Sequence, residues 1–200
     1  ETLGSSTIIC TDKTGTLTRN EMSVRSFYCG DEIYTVTGSG FDPTYGVLKI
    51  DGEEISESQM ATLKVDKGFK LATACTLLCQ NSNIREIENN WKAIGNPTDS
   101  ACAVFGWKMM ESVDTFRRKH PRFREFTFDR IRKRMTTIHE FDGERWVFSK
   151  GAIGPYLSRI SHVVENGRIT PISDKHRNNI GKVNLEMATR ALRVIALTAR

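Results

Sequence analysis

Two segments that alternate apolar and polar side chains, followed by a third strand-like run, succeed one another across residues 123–149, and this pattern narrows the fold more than any other feature. Residues 123–128 and 135–141 alternate, and Asp142-Gly143 then leads into the third run over 145–149. A period of two places alternate side chains on opposite faces of a strand, and the short connections send the chain back on itself. The expectation is an antiparallel meander with one wet face. Asp-Gly is a strong two-residue hairpin signal, and Lys150-Gly151-Ala152 ends the run.

Helical spacing supplies cover for such a sheet. Over 58–80, Leu63, Phe69, Ala72, Cys75, Leu78 and Cys79 recur by threes and fours after the first turn, which predicts one helix with a buried face and a possible break at Gly68. Asn96-Pro97-Thr98-Asp99 reads as a helix start: Asn96 caps, Pro97 takes the first helical position, and Asp99 answers three residues after the cap. Ala101, Val104, Phe105 and Met109 form the apolar stripe of that helix. Nearer the start, β-rich runs at 22–29 and 32–37 flank Gly30-Asp31, and a Gly/Pro loop over 38–46 precedes more β character at 47–50 and an Asp51-Gly52 turn. A short helix near 155–160, a β-run over 168–172, a capped helix from Ser173 to about Ala191 and a β-segment over 192–197 complete the pattern.

The fold class expected is α+β, an antiparallel β-sheet flanked by helices over 21–200. It is preceded by one strand at 7–10 and a polar, Gly-broken loop within 1–20. With 200 residues and 38% hydrophobic side chains, the chain can bury a sizeable core. Its net charge of +5 suits a polyanionic partner without choosing among nucleotide, nucleic acid and acidic membrane. The most apolar stretch, 71–79, is about half the roughly 18 residues a membrane span needs. The six residues Glu1-Thr2-Leu3-Gly4-Ser5-Ser6 lack the pattern of a secretory signal. Five cysteines, odd in number and set in apolar segments, fit a reducing compartment better than a disulfide framework. Cys75 and Cys79 lack the further ligands that zinc requires.

The residues richest in chemistry are Cys10-Thr11-Asp12-Lys13-Thr14-Gly15-Thr16-Leu17-Thr18. An aspartate at the end of a strand is ionised near neutrality and can attack phosphorus as a carboxylate nucleophile. An anion attacking an anionic phosphate needs screening, which Mg²⁺ and a lysine supply, while Gly15 lets backbone N–H groups approach the phosphoryl oxygens. This string resembles the phosphorylation signature of the P-type ATPases, and a given seven-residue string arises by chance about once in a billion positions. The resemblance makes Asp12 the phosphate acceptor. It gives Thr14 a share in Mg²⁺ ligation and phosphoryl contact, with Lys13 and Thr16 shaping the loop.

A second set of motifs follows in the order found in the nucleotide-binding domain of the calcium and sodium/potassium pump branch. These are Gly95-Asn96-Pro97-Thr98-Asp99, Phe128-Asp129-Arg130-Ile131-Arg132-Lys133-Arg134-Met135, Lys150-Gly151-Ala152 and Leu192-Arg193. With the phosphorylation string they extend the resemblance over nearly the whole chain. It implies ATP with Mg²⁺: adenine against Phe128 between Asp99 and Lys150, Gly151 allowing close approach, and Lys133 and Arg193 on the phosphates. Physically, Phe128 offers an apolar face to a purine, and Arg193 offers a bidentate cation. Departures occur where the family often reads Lys-Gly-Ala-Pro-Glu, here Lys150-Gly151-Ala152-Ile153-Gly154, and where Ile131 stands for the usual Ser before Arg-Lys.

By the same resemblance the partners are ATP and the remaining phosphorylation, actuator and transmembrane domains of a parent pump. The chain is then a cytoplasmic part of an integral membrane protein, calcium is the favoured ion, and this stretch alone is expected to bind ATP without turnover. Two other readings compete. Nine Lys/Arg residues between Arg117 and Arg134, interleaved with Phe116, Phe123, Phe126 and Phe128, could form a single-stranded nucleic-acid platform, although no nucleic-acid partner is expected. A haloacid-dehalogenase-type phosphatase also begins with a strand and an Asp nucleophile, but it usually carries a second Asp two residues on, where this chain has Thr14.

Overall fold

A computed structural model describes Thr7, Ile8, Cys10, Thr11, Thr18, residues 20–165 and residues 167–200. The loop residues Asp12, Lys13, Thr14 and Thr16 lie outside them. Strands β1 (Ser26–Cys29) and β2 (Glu32–Val36) form the expected hairpin, with Gly30 and Asp31 both left-handed at φ 62° and 64°. That pair matches the right-handed twist of two flanking strands. Strands β3 (Leu48–Ile50) and β4 (Glu53–Glu54) complete a four-stranded antiparallel sheet in the order β1-β2-β3-β4.

The long helix expected over 58–80 is two helices, α1 (Glu57–Val65) and α2 (Lys67–Leu78). The break falls at Asp66, not at Gly68, because Asp66 ends α1 in extended backbone and its carboxylate accepts the Phe69 N–H at 2.8 Å to start α2. A capping carboxylate therefore outweighs a glycine that a first turn tolerates. A hairpin of β5 (Asn83–Ile87) and β6 (Asn90–Ile94), not foreseen, leads to α3 (Pro97–Met109), which begins as expected with the Asp99 N–H donating to Asn96 Oδ1 at 2.9 Å. Helix α4 (Val113–Lys119) is also additional to the expectation.

Strands β7 (Arg122–Asp129), β8 (Arg134–Phe141) and β9 (Glu144–Gly151) are the expected meander, and β8 buries every second residue over most of its length. After α5 (Ile153–Leu157), a ribbon of β10 (His162–Glu165) and β11 (Arg168–Pro171), and α6 (Asp174–Thr189), the chain ends in β12 (Ala196–Ala199). β12 pairs antiparallel with β9, giving the order β12-β9-β8-β7. The strand expected at 192–197 thus starts four residues late, where its partners Gly151 and Lys150 set the register. A second correction concerns residues 7–10. Thr7, Ile8 and Cys10 are not in a strand, since no neighbouring strand among the described residues pairs with them.

Helices α2 and α3 supply both core clusters, and so tie the two four-stranded sheets together. Leu71, Ala74 and Leu78 of α2 and Val104 of α3 meet Met135, Phe141 and Phe148, while Phe69 and Phe105 meet Phe27, Tyr34, Val36 and Leu48. Each fully buried Leu or Phe contributes roughly 1.5–3 kcal/mol. The helices cross closely at Gly106, where a Cβ would stand 2.5 Å from Leu77. The architecture is mixed helix and antiparallel sheet. No helix among the described residues is long and apolar enough to cross a membrane.

Candidate nucleotide site

One end of the four-stranded sheet gathers residues scattered widely in sequence. There β7 finishes, β8 begins, β9 finishes and β12 begins, so Asp129 faces Arg134, Arg134 faces Gly151, and Gly151 faces Ala196 across successive strands. Phe128, Lys133, Lys150 and Arg193 all fall on or beside this edge. The N-terminus of α3 reaches it too, through Asp99.

Phe128 lies in a β-bulge, because the two residues between Phe126 and Asp129 oppose only Met135 on β8. Bulges re-aim side chains, and Phe128 is 62% exposed. Its ring is therefore outside the sheet core, as is the neighbouring Phe126. The alternation along β7 marks an aromatic outer surface and not an inner face.

Asp99 and Lys150 are each only 6% exposed, and the Lys150 ammonium donates to Asp99 Oδ1. The second carboxylate oxygen of Asp99 accepts the Asn81 N–H at 2.9 Å. The two groups expected to flank adenine thus meet each other directly. Burial alone drives a lysine toward its neutral form, yet the attraction of the Cys102 sulfur and of Asp99 outweighs it and holds the Lys150 pKa above its ordinary value.

Gly151 has a structural reason of its own. A Cβ there would sit 2.3 Å from the Lys133 carbonyl, which also accepts the Ala152 N–H at 3.0 Å. The close approach at Gly151 is that of the β7–β8 turn. In this turn Asp129 binds the N–H groups of Arg132 and Lys133, at 2.6 and 2.7 Å, and Lys133 is left-handed at φ 52°. Arg193 donates to Thr98 Oγ1 at 3.3 Å, which sets its guanidinium beside the first turn of α3. Asn81 was not singled out from the sequence, and Thr98 entered only as part of the motif at the start of α3. Only their polar character next to helix ends could have signalled them, because their partners are remote.

Asp12, Lys13, Thr14 and Thr16, and with them the expected Mg²⁺ ligands Asp12 and Thr14, lie outside the described residues. Among the described residues no group of three or more His, Cys, Asp and Glu side chains is placed to hold a metal ion. Cys75 and Cys79 are buried free thiols against the carbonyls of Ser149 and Met135.

The basic run divides in three dimensions. Arg117 and Arg122 turn inward to the carbonyls of Gln80 and Leu78, Phe116 is buried, and Arg124 lies over the ring of Phe126 at 4.8 Å. A continuous row of cations and rings, which strand-binding by nucleic acid would use, is therefore broken.

Comparison with known proteins bears on the family resemblance. The family described as P-type ATPase, cytoplasmic domain N, matches residues 69–200. A calcium-transporting ATPase of Bacillus cereus is 34% identical over 98% of this chain and 19% of its own length. One from Bacillus subtilis is 33% identical over the whole chain and 22% of its own length, and a cation-transporting ATPase of Synechocystis sp. is 31% identical over the same shares. The chain spans about a fifth of the length of these relatives.

Proposed function

Since the chain belongs to the P-type ATPase cytoplasmic N domain family, we propose that the sheet end around Phe128 captures ATP for a cation pump. The observation that carries this is convergence. An exposed aromatic ring, a buried Lys150–Asp99 pair and a guanidinium held at Thr98 meet at one edge although they span 98 to 193 in sequence. Adenine stacks on Phe128 over the Lys150–Asp99 pair, and Lys133 and Arg193 face the phosphates. Mg²⁺ bound with the triphosphate would screen its charge.

Residues 1–20 carry the phosphorylation segment and 21–200 the nucleotide-binding domain. In the complete pump, domain closure brings the γ-phosphorus to Asp12. A carboxylate oxygen of Asp12 forms the new P–O bond while the bond to the β–γ bridging oxygen breaks, and ADP leaves with that electron pair. The other partners are then the remaining phosphorylation, actuator and transmembrane domains. The names of the Bacillus relatives favour calcium as the transported ion.

Phe128→Ala tests the stacking. Loss of one ring–base contact is worth about 1–1.5 kcal/mol, so ATP affinity measured by calorimetry is expected to fall about tenfold with the fold intact by circular dichroism. Unchanged affinity removes Phe128 from the site.

A further inference from the structure

A ring that stacks on a base binds best when it already stands in place, because ordering it at the moment of binding subtracts from affinity. The β7–β8 ladder does not supply that order alone. Thr127 and Phe128 lie between the paired positions Phe126–Thr136 and Asp129–Arg134, and neither has a register partner of its own. β7 is also the outer strand of its sheet, so no strand flanks the bulge on its other side.

Arg132, in the turn that follows β7, supplies a tie across the bulge. Its Nη2 donates to the Thr127 carbonyl at 3.0 Å, its backbone N–H donates to Asp129 Oδ1 at 2.6 Å, and its Nε lies 3.8 Å from that same oxygen. One residue thus grips the position before Phe128 and the position after it. A guanidinium carries its donors in a rigid planar fork, so it serves a carbonyl and a carboxylate together in a way that an ammonium does not. The strand is also fixed upstream. Glu125 accepts from Asn81 Nδ2 and from Arg122 Nη1, each at 2.7 Å, and Arg122 Nη2 donates to the Leu78 carbonyl at 2.8 Å, at the end of α2. Phe128 therefore stands between two anchored points. The Arg132 and Asp129 side chains are 38% and 44% exposed, so water screens their attraction and the tie matters for geometry more than for stability.

We propose that Arg132 is a positioning residue of the nucleotide site: by bridging Thr127 and Asp129 across the bulge, it holds the Phe128 ring where the base stacks. This rests on the reading of Phe128 as the stacking platform. It also separates Arg132 from Lys133 and Arg193, whose part is to attract phosphates. A cation that binds phosphate affects ATP and leaves adenosine alone, whereas a residue that places the ring affects both alike.

The test measures adenosine and ATP affinities by amide-shift titration, at constant ionic strength, for the 200-residue chain, Arg132→Gln, Phe128→Ala and the double variant. Arg132→Gln is expected to weaken both ligands by the same factor, about threefold, since the ceiling is the roughly tenfold lost with the whole ring. Arg132→Lys keeps the charge but not the fork, so it should weaken adenosine to a similar degree. In the Phe128→Ala background Arg132→Gln should change neither affinity, because no ring is left to place. Arg85→Gln, which removes one charge from β5, should change neither in the unaltered background. A loss confined to ATP makes Arg132 a phosphate ligand and overturns the proposal. An equal loss in the Phe128→Ala background overturns it too, as does no loss at all while Phe128→Ala still weakens binding. These three results leave the stacking reading standing, whereas unchanged affinities in Phe128→Ala remove that reading and the proposal with it.

Discussion

Replacing Lys150 with Met is expected to destabilise the fold by about 3–5 kcal/mol, because one member of a buried ion pair is then left without its counter-charge. The orphan would be Asp99, which is 6% exposed and whose remaining polar contact is the Asn81 N–H. Asp99→Leu should cost a similar amount by stranding the ammonium of Lys150 among the sulfurs of Cys79 and Cys102. The double variant is expected to recover most of the loss, since well-packed apolar replacements of a buried pair are often neutral. Urea denaturation of the four proteins gives the interaction energy directly. If both single variants stay within about 1 kcal/mol of the parent, the pair is not the buried unit described.

The second large effect is on acid stability. Burial, opposed only partly by backbone hydrogen bonding at His120 and Leu78, pushes the His139 pKa down from 6.5 to about 4. Arg122 and Arg117 act in the same direction as burial. Between these two values the unfolded chain binds a proton that the folded chain does not, so stability is fully present above about 6.5 and falls as the pH drops toward 4. The loss attributable to this ring is about 3 kcal/mol. His120 is also held below its ordinary value, by burial first, so the parent must be compared with His139→Gln. Denaturation profiles of the two proteins at pH 7 and pH 4 should differ in their pH-dependent loss by about that amount, and parallel profiles would show that His139 titrates normally.

Much of the fold was legible because local and global signals agree. β8 keeps its period of two since one face meets the helices, and α3 starts at Asn96 since cap, proline and Asp99 coincide. Where the reading failed, a remote partner or a second local signal decided the outcome. Asp66 rather than Gly68 separates α1 from α2 because its carboxylate caps, and β12 begins at Ala196 because β9 sets its register. The β5–β6 hairpin escaped notice because it is mostly exposed and meets the core only through Ile84, Trp91 and Ala93.

The same contrast holds for the candidate site. Residue types and motif order singled out Phe128, Lys150, Asp99 and Arg193, yet no sequence rule shows that Lys150 closes on Asp99. Nor does one reveal that Gly151 yields to the Lys133 carbonyl. The run from Arg117 to Arg134 reads as uniform basic surface, whereas folding sends Arg117 to a cavity with His139 and leaves the rings of β7 outside. Such long-range pairings depend on topology.

The central claim is that nucleotide binds at the sheet end around Phe128, and an ATP titration of the ¹⁵N-labelled chain tests it most directly. Amide shifts that saturate together at Phe128, Gly151 and Arg193, with Arg117 and His139 little changed, are the predicted result. Shifts centred on Arg117 and His139, or no change at Phe128 and Gly151 at saturating ATP, would contradict it.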